Sequence, residues 1–134
     1  MRLLFITIVL VLTTNCHSQN SWGQLCTHIK DTNVNAYIFG SHNNSVKRSL
    51  IKHGFQIGLS DTSFSILHFT ATFSDELNRN INTMQSDGYS LFSNSRNSLF
   101  KNIEFIPFVS ISGIYIKKDG QCYRVKEFIC KFED

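Results

Sequence analysis

Apolar and polar positions alternate most clearly over residues 109–132, VSISGIYIKKDGQCYRVKEFICKF. Two runs rich in β-branched and aromatic residues flank Asp119-Gly120. A type I′ turn needs positive φ at both central positions, which Asp and Gly tolerate, so the pair predicts a two-residue β-hairpin. That loop sets Lys118 opposite Gln121, Lys117 opposite Cys122, Ile116 opposite Tyr123 and Tyr115 opposite Arg124. A period of two places Val109, Ile111 and Tyr115 on one face of the first strand and Ile114 and Ile116 on the other. On the second strand Phe128, Cys130 and Phe132 share a face. A hairpin apolar on both sides needs a sheet against at least one of them.

Upstream, residues 34–39 (VNAYIF) alternate Val34, Ala36 and Ile38 against Asn35, Tyr37 and Phe39 and predict a strand, ended by turn residues at 40–44. Residues 45–53 (SVKRSLIKH) carry a cap residue in Asn44 or Ser45. Val46 and Leu50 stand at i, i+4, Lys52 and His53 occupy a last turn, and Gly54 stands as a left-handed stop, which together predict a short helix. Residues 55–59 predict a short strand and 63–73 (SFSILHFTATF) a long one. In the long strand Phe64 and Ile66 face one way, and Leu67, Phe69, Ala71 and Phe73 the other. That shift of phase predicts a β-bulge near residue 66 or a strand partly buried on both sides. Residues 74–88 read either as a helical turn opened by Ser74, Asp75 and Glu76 or as a loop leading to an edge strand at 81–85. Residues 94–103 predict a second short helix, and Pro107 ends the irregular stretch before the hairpin. The fold class expected is mostly β: an Ig-like β-sandwich with one or two short helices, ending in a β-hairpin.

The first residues change the picture. Met1-Arg2 and the apolar run 3–12 have the form of a secretory signal, too short to span a bilayer as a helix. Two endings stay open. Cleavage after Ser18 releases a chain that starts at Gln19; alternatively residues 12–16 act as a lipobox and Cys16 carries lipid. The expected division is a signal at 1–18, a lead-in without clear period at 19–33, and one β-domain at 34–134. Export to the periplasm or cell envelope, or secretion, follows from either ending. Three cysteines remain, Cys26, Cys122 and Cys130. On one extended strand Cys122 and Cys130 stand about 26 Å apart, beyond the roughly 7 Å limit between bridged Cα atoms, so any bridge ties Cys26 to Cys122 or Cys130. Three buried thiols are the other reading. The formal net charge of +3 is too small and too scattered for a nucleic-acid surface.

Four segments, taken in order, resemble a known family. Residues 44–57 (NSVKRSLIKHGFQI) are similar to its turn, short helix and following strand; 64–73 (FSILHFTATF) to its long strand; 86–103 to a turn and short helix; and 110–125 (SISGIYIKKDGQCYRV) to its Asp-Gly hairpin. The family is the C-terminal periplasmic β-domain of GldM (PorM), of the Bacteroidetes gliding-motility and type IX secretion machinery. The resemblance implies a non-enzymatic structural or protein-interaction module that works through sheet faces or edges. It brings no catalytic residue and no cofactor.

Chemistry-bearing residues are sparse. His28 stands two residues after Cys26 without a second pair at zinc spacing. Asp75-Glu76 fit a capped turn better than a catalytic pair. Ser41, Ser45 and Ser49 lack a nucleophile elbow, and His68 reads as a surface or satisfied histidine instead of a base. Asn43-Asn44-Ser45 is a glycosylation sequon only in a eukaryotic source. The chain is therefore expected not to be an enzyme, to bind no metal, cofactor or nucleic acid, and to lack a membrane span, with a lipid anchor only through Cys16. Its expected partner is another protein or a second copy, met by strand 63–73 or the terminal strand at a sheet edge. The alternative is a small exported lipoprotein or secreted domain that binds a glycan or peptide, through aromatics such as Trp22, Tyr89 and Phe92. A concave aromatic pocket supports this alternative; a flat open edge supports the interaction module.

Overall fold

The computed structural model describes residues 26–77, 79–92 and 103–134. Elements run in the order β1 (Ile29–Asp31), β2 (Ala36–Ile38), β3 (Ser45–Lys47), α1 (Arg48–Ile51), β4 (Gly54–Leu59), β5 (Ser65–Ser74), β6 (Asn80–Ser86), β7 (Ser90–Phe92), β8 (Phe108–Lys118), β9 (Gln121–Val125) and β10 (Phe128–Glu133). The protein is mostly β, with one short helix among the described residues and no closed barrel. Seven strands make a mixed sheet in which β8 is central. β5, followed by β6, lines one edge of β8, and β9 and β10 share the other. β1 joins β9 and β3 joins β10, both in parallel. The antiparallel sheet β2-β4-β7 makes a second layer. Its inner residues Ile38, Phe55 and Ile57 belong to one buried cluster with Phe69, Phe73, Ile111 and Phe132 of the large sheet. Phe55 lies 6.1 Å from Phe69 and 6.5 Å from Phe73 between ring centroids. Each such side chain contributes about 1.5–3 kcal/mol relative to its exposed state.

The terminal hairpin has the expected register: Lys118 faces Gln121, Lys117 Cys122, Ile116 Tyr123 and Tyr115 Arg124. Asp119 and Gly120 have φ of +51° and +76°. The expected faces of β8 need correction. Val109, Ile111, Ile114 and Ile116 all point into the core, and all are fully buried. Gly113, at φ +55°, inserts one residue between the two pairs and turns the second pair inward.

The same slip crosses the sheet. In β5, Ile66 faces Ile116, His68 faces Tyr115 and Thr70 faces Ser112, so β5 gains a residue at Leu67 and β8 gains one at Gly113. The two insertions cancel, and pairing from Thr70 to Ser74 resumes in the original register. This is the bulge expected near residue 66. It brings Phe64 and Ile66 onto the same cluster as Phe69, Ala71 and Phe73, and leaves Leu67 out of it. Across the other edge of β8, Lys126 and Glu127 break the ladder between Val125 and Phe128, opposite Ser112 and Gly113. Core-facing positions therefore step by three residues once in each of three neighbours, at 66–69, 111–114 and 125–128.

The helix expected at 45–53 is largely replaced. Asn43 and Asn44 both have positive φ, and the His42 and Ser45 backbones exchange bonds of 2.7 and 3.0 Å, closing a tight hairpin turn. β3 then pairs with β10, setting buried Val46 beside Phe132. Only 48–51 is helical, without a side-chain cap; Ile51 is buried and Leu50 exposed. Parallel pairing satisfies the backbone at 45–47, which a short isolated helix cannot hold against that gain. The stretch 74–88 takes its strand reading. Asp75 accepts the N–H groups of Leu77 and Arg79 at 3.0 and 2.9 Å and an Arg79 Nε–H bond at 2.7 Å, closing the loop into β6. The Arg79 backbone N–H, aided by its guanidinium, holds the Asp75 carboxyl below its ordinary pKa.

Neither strand expected to meet a partner at an edge lies at one: β5 runs between β6 and β8, and β10 between β8 and β3, whereas β6, over the edge strand expected at 81–85, pairs among the described residues with β5 alone. The lead-in carries a strand that its sequence did not announce, β1, secured by the Cys26–Cys122 disulfide with 5.7 Å between Cα atoms. An ion pair from Arg124 to Asp31 at 3.1 Å adds to that attachment. Residues 1–25, with the signal, Cys16 and Trp22, lie outside the described residues, as do positions 94–102 of the second expected helix; Ile103 is buried in a single 3₁₀ turn at 103–105.

Arg48 ties this turn to the body of the domain. Its guanidinium donates to the carbonyls of Ile103 and Ile106 at 3.2 and 3.1 Å and pairs with Asp134 at 2.5 Å.

Two measurements check these features. Gly113→Val forces a β-branched residue into the left-handed region and is expected to cost about 1–3 kcal/mol in denaturant unfolding. Unchanged stability would mean that β8 carries no slip at 113. Arg48→Lys keeps the charge and loses the fork, with an expected cost of about 1–3 kcal/mol from the two half-buried carbonyls. A loss below about 0.5 kcal/mol would place it with ordinary surface substitutions and show that those carbonyls do not depend on the guanidinium.

Candidate functional site

The outer face of the small sheet begins from one pairing, Tyr37 opposite Gly58. A Cβ built on Gly58 would sit 2.7 Å from Tyr37 Cζ and 2.8 Å from its hydroxyl, so the ring lies directly over the glycine backbone. Phe39, 5.4 Å away between centroids, meets Tyr37 nearly edge-on at 74°. Both rings alternate outward from Ile38, which is fully buried; Tyr37 is 39% and Phe39 51% exposed. Tyr89, 55% exposed, stands just before β7, where its carbonyl accepts the Ile57 N–H at 2.8 Å. Three exposed aromatics thus gather around one strand of the small sheet.

Together they border a groove of about 440 Å³ whose lining also includes the apolar residues Ile57, Leu59 and Ile66 and the hydroxyl-bearing Thr62 and Ser65. Phe64 lines it too, held edge-to-face on Tyr123 at 5.3 Å with Lys118 Nζ over its ring at 5.1 Å. The loop that carries Thr62 is fixed at both ends. Ser60 N–H donates to the Asn35 carbonyl at 2.8 Å, and Asn35 N–H to the Ser60 hydroxyl at 2.9 Å. Asp61 accepts the Ser63 hydroxyl at 2.6 Å and its N–H at 2.9 Å; these bonds, the hydroxyl first, lower the Asp61 pKa. Among the described residues, no Asp, Glu, Lys, Arg or His lines the groove. A wider hollow of about 680 Å³ lies where β2 meets the break at Lys126 and Glu127, and Phe128 is its one aromatic lining residue.

The other residues that suggested chemistry are placed apart. His28 is exposed, and its carbonyl accepts a Gln121 side-chain bond at 3.1 Å. Asp75 closes its loop, and Glu76 is exposed beside it. Ser45 lies in β3, and its hydroxyl donates to the Lys131 carbonyl at 3.4 Å. His68 is 5% exposed, with Nδ1 3.1 Å from an Asp87 carboxylate oxygen. Burial pushes the free Cys130 thiol up to about 11, which keeps it protonated and a poor nucleophile. Among the described residues, no three His, Cys, Asp or Glu side chains gather to hold a metal, and no helix is long and apolar enough to cross a membrane.

Of the aromatics named from the sequence, Tyr89 lies on the groove, Trp22 falls outside the described residues, and the Phe92 backbone pairs with Gly54. Tyr37, Phe39, Phe64 and Gly58 were not named as site residues. The signal was present in 34–39, where the face opposite Val34, Ala36 and Ile38 carries two aromatic rings instead of polar residues. Gly58 had no local signal, because its role depends on a partner strand 21 positions away, a separation read from the pairing of residues 37 and 58. No family model, no curated protein and no solved structure matches this chain.

Proposed function

We propose that this protein is an exported, non-enzymatic binding domain that works through the aromatic groove of its small sheet. The observation that carries the reading is the Tyr37 ring laid over Gly58 with Phe39 and Tyr89 exposed around it. Water-facing aromatic rings on a pinned frame are favourable binding elements, since they offer large contact area with little rotamer entropy to lose. Export is supported by the signal-like first 18 residues and by the Cys26–Cys122 disulfide, which fits an oxidising compartment.

A second reading keeps the GldM-like interaction module, with a protein partner or a second copy as its ligand. The sandwich of two sheets and the Asp119-Gly120 hairpin in the expected register support it. Under this reading the domain serves gliding or secretion through a sheet face, and the partner covers the same aromatic surface.

Retention of the purified mature chain on surface material from cells that produce it tests the groove. Tyr37→Ala and Tyr89→Ala should each weaken retention several-fold, since truncating a central aromatic anchor commonly costs more than about 1 kcal/mol of binding. Unfolding stability should move by no more than about 0.5 kcal/mol, as for other exposed positions. Full retention by both variants would remove the groove from the function. Light scattering of the free chain separates the second reading: a mass that doubles with concentration, and is lost in Tyr37→Ala, points to a second copy on that face.

A further inference from the structure

We infer that the groove takes an uncharged sugar ring, with Tyr37 as its stacking platform; this rests on the groove being the binding site. Three properties of the surface lead there. The first is charge. Among the described residues, no Asp, Glu, Lys, Arg or His lines the groove. A charged group drawn onto that lining would lose water there, and the nearest ammonium, Lys118 Nζ, already lies over the Phe64 ring instead of among the lining residues. The ligand is therefore neutral.

The second is shape. Gly58 lets the Tyr37 ring lie close against the sheet backbone, and the residue keeps 39% of its surface exposed for a flat partner. Phe39 stands nearly perpendicular to it and makes a corner. A pyranose has such a flat side, formed by its axial C–H groups. The third is the polar share of the lining. Thr62, Ser65, Tyr37 and Tyr89 are four hydroxyl-bearing residues beside Ile57, Leu59 and Ile66. Each hydroxyl is both donor and acceptor, as sugar hydroxyls are. An apolar peptide side chain would meet the apolar lining but offer those hydroxyls no partner. A sugar satisfies rings and hydroxyls together.

The full mature chain is titrated, by backbone-amide NMR, with cellohexaose, maltohexaose, chitohexaose, an oligogalacturonate as charged counterpart, and a Leu/Phe-rich hexapeptide. The expected result is shifts at Tyr37, Gly58 and Tyr89 with a neutral hexasaccharide, and at least about tenfold weaker binding in Tyr37→Ala and Gly58→Val. Phe105→Ala, on an exposed ring outside the groove, should bind as the parent chain. Retention on surface material is measured in parallel after periodate, which cleaves vicinal diols of sugars, and after protease. Tyr37-dependent retention that periodate abolishes supports the sugar even where no panel member binds. Tyr37-dependent retention that resists periodate and falls to protease overturns the sugar and leaves the groove as the site. Preference for the oligogalacturonate or the peptide overturns the sugar inference as well. Retention indifferent to Tyr37→Ala overturns the site itself.

Discussion

Three neighbouring stretches of the large sheet, β5, β8 and the run from β9 into β10, must send apolar side chains into one cluster although each carries its apolar residues in two phases, and a slip shared by all three resolves the conflict. Ile66 to Phe69, Ile111 to Ile114 and Val125 to Phe128 are each three-residue steps at one level of the sheet. A slip in one strand alone would turn half of its neighbours' pairing out of register. Matched insertions at Leu67 and Gly113 leave the ladder intact on either side. Gly113 is the position that permits this, because its left-handed backbone is strained for any residue with a side chain. Local bulges also bend and twist a sheet, which suits a large sheet that must close over a small one.

The small sheet owes its aromatic outer face to that core. Ile38, Phe55 and Ile57 point inward against the large sheet, so the intervening positions Tyr37, Gly58 and Phe39 must point out. Aromatics on a solvated face cost solubility and contribute little to stability, and here they are gathered and stacked instead of scattered. The paired Asn35 and Ser60 contacts hold the β2 start against the loop at the groove's rim. The disulfide at β1 and the Arg48 fork at the 103–106 turn tie these segments to the body of the domain.

Sequence patterning made much of the fold legible and little of the site. The hairpin at Asp119-Gly120 depends on local turn chemistry, and its register could be written residue by residue. The bulge near residue 66 showed itself as a change of phase within one strand. The matching slip at Gly113 did not, since a plain period of two assigned Ile114 and Ile116 to the face opposite Val109 and Ile111. Residues 45–47 had helical spacing and a good cap, yet β10 supplied a partner that helix propensity cannot foresee. β1 is three exposed residues whose position comes from Cys122 and β9 rather than from any period of its own. For the groove, the aromatic face of 34–39 was visible. Its closure by Phe64, Tyr89 and the bare backbone of Gly58 required contacts between segments far apart in the chain.

The central claim is that ligand meets this protein at Tyr37, Phe39 and Tyr89 and not at its other exposed apolar side chains. Hydroxyl-radical footprinting reads that directly, with side-chain oxidation followed by mass spectrometry before and after the chain is bound to the surface material that retains it. The account predicts protection of Tyr37, Phe39 and Tyr89, with Leu50, Leu77, Phe105 and Ile129 oxidised as in the free chain. Protection that falls on Phe105 or Ile129 while the three groove aromatics stay reactive would contradict it.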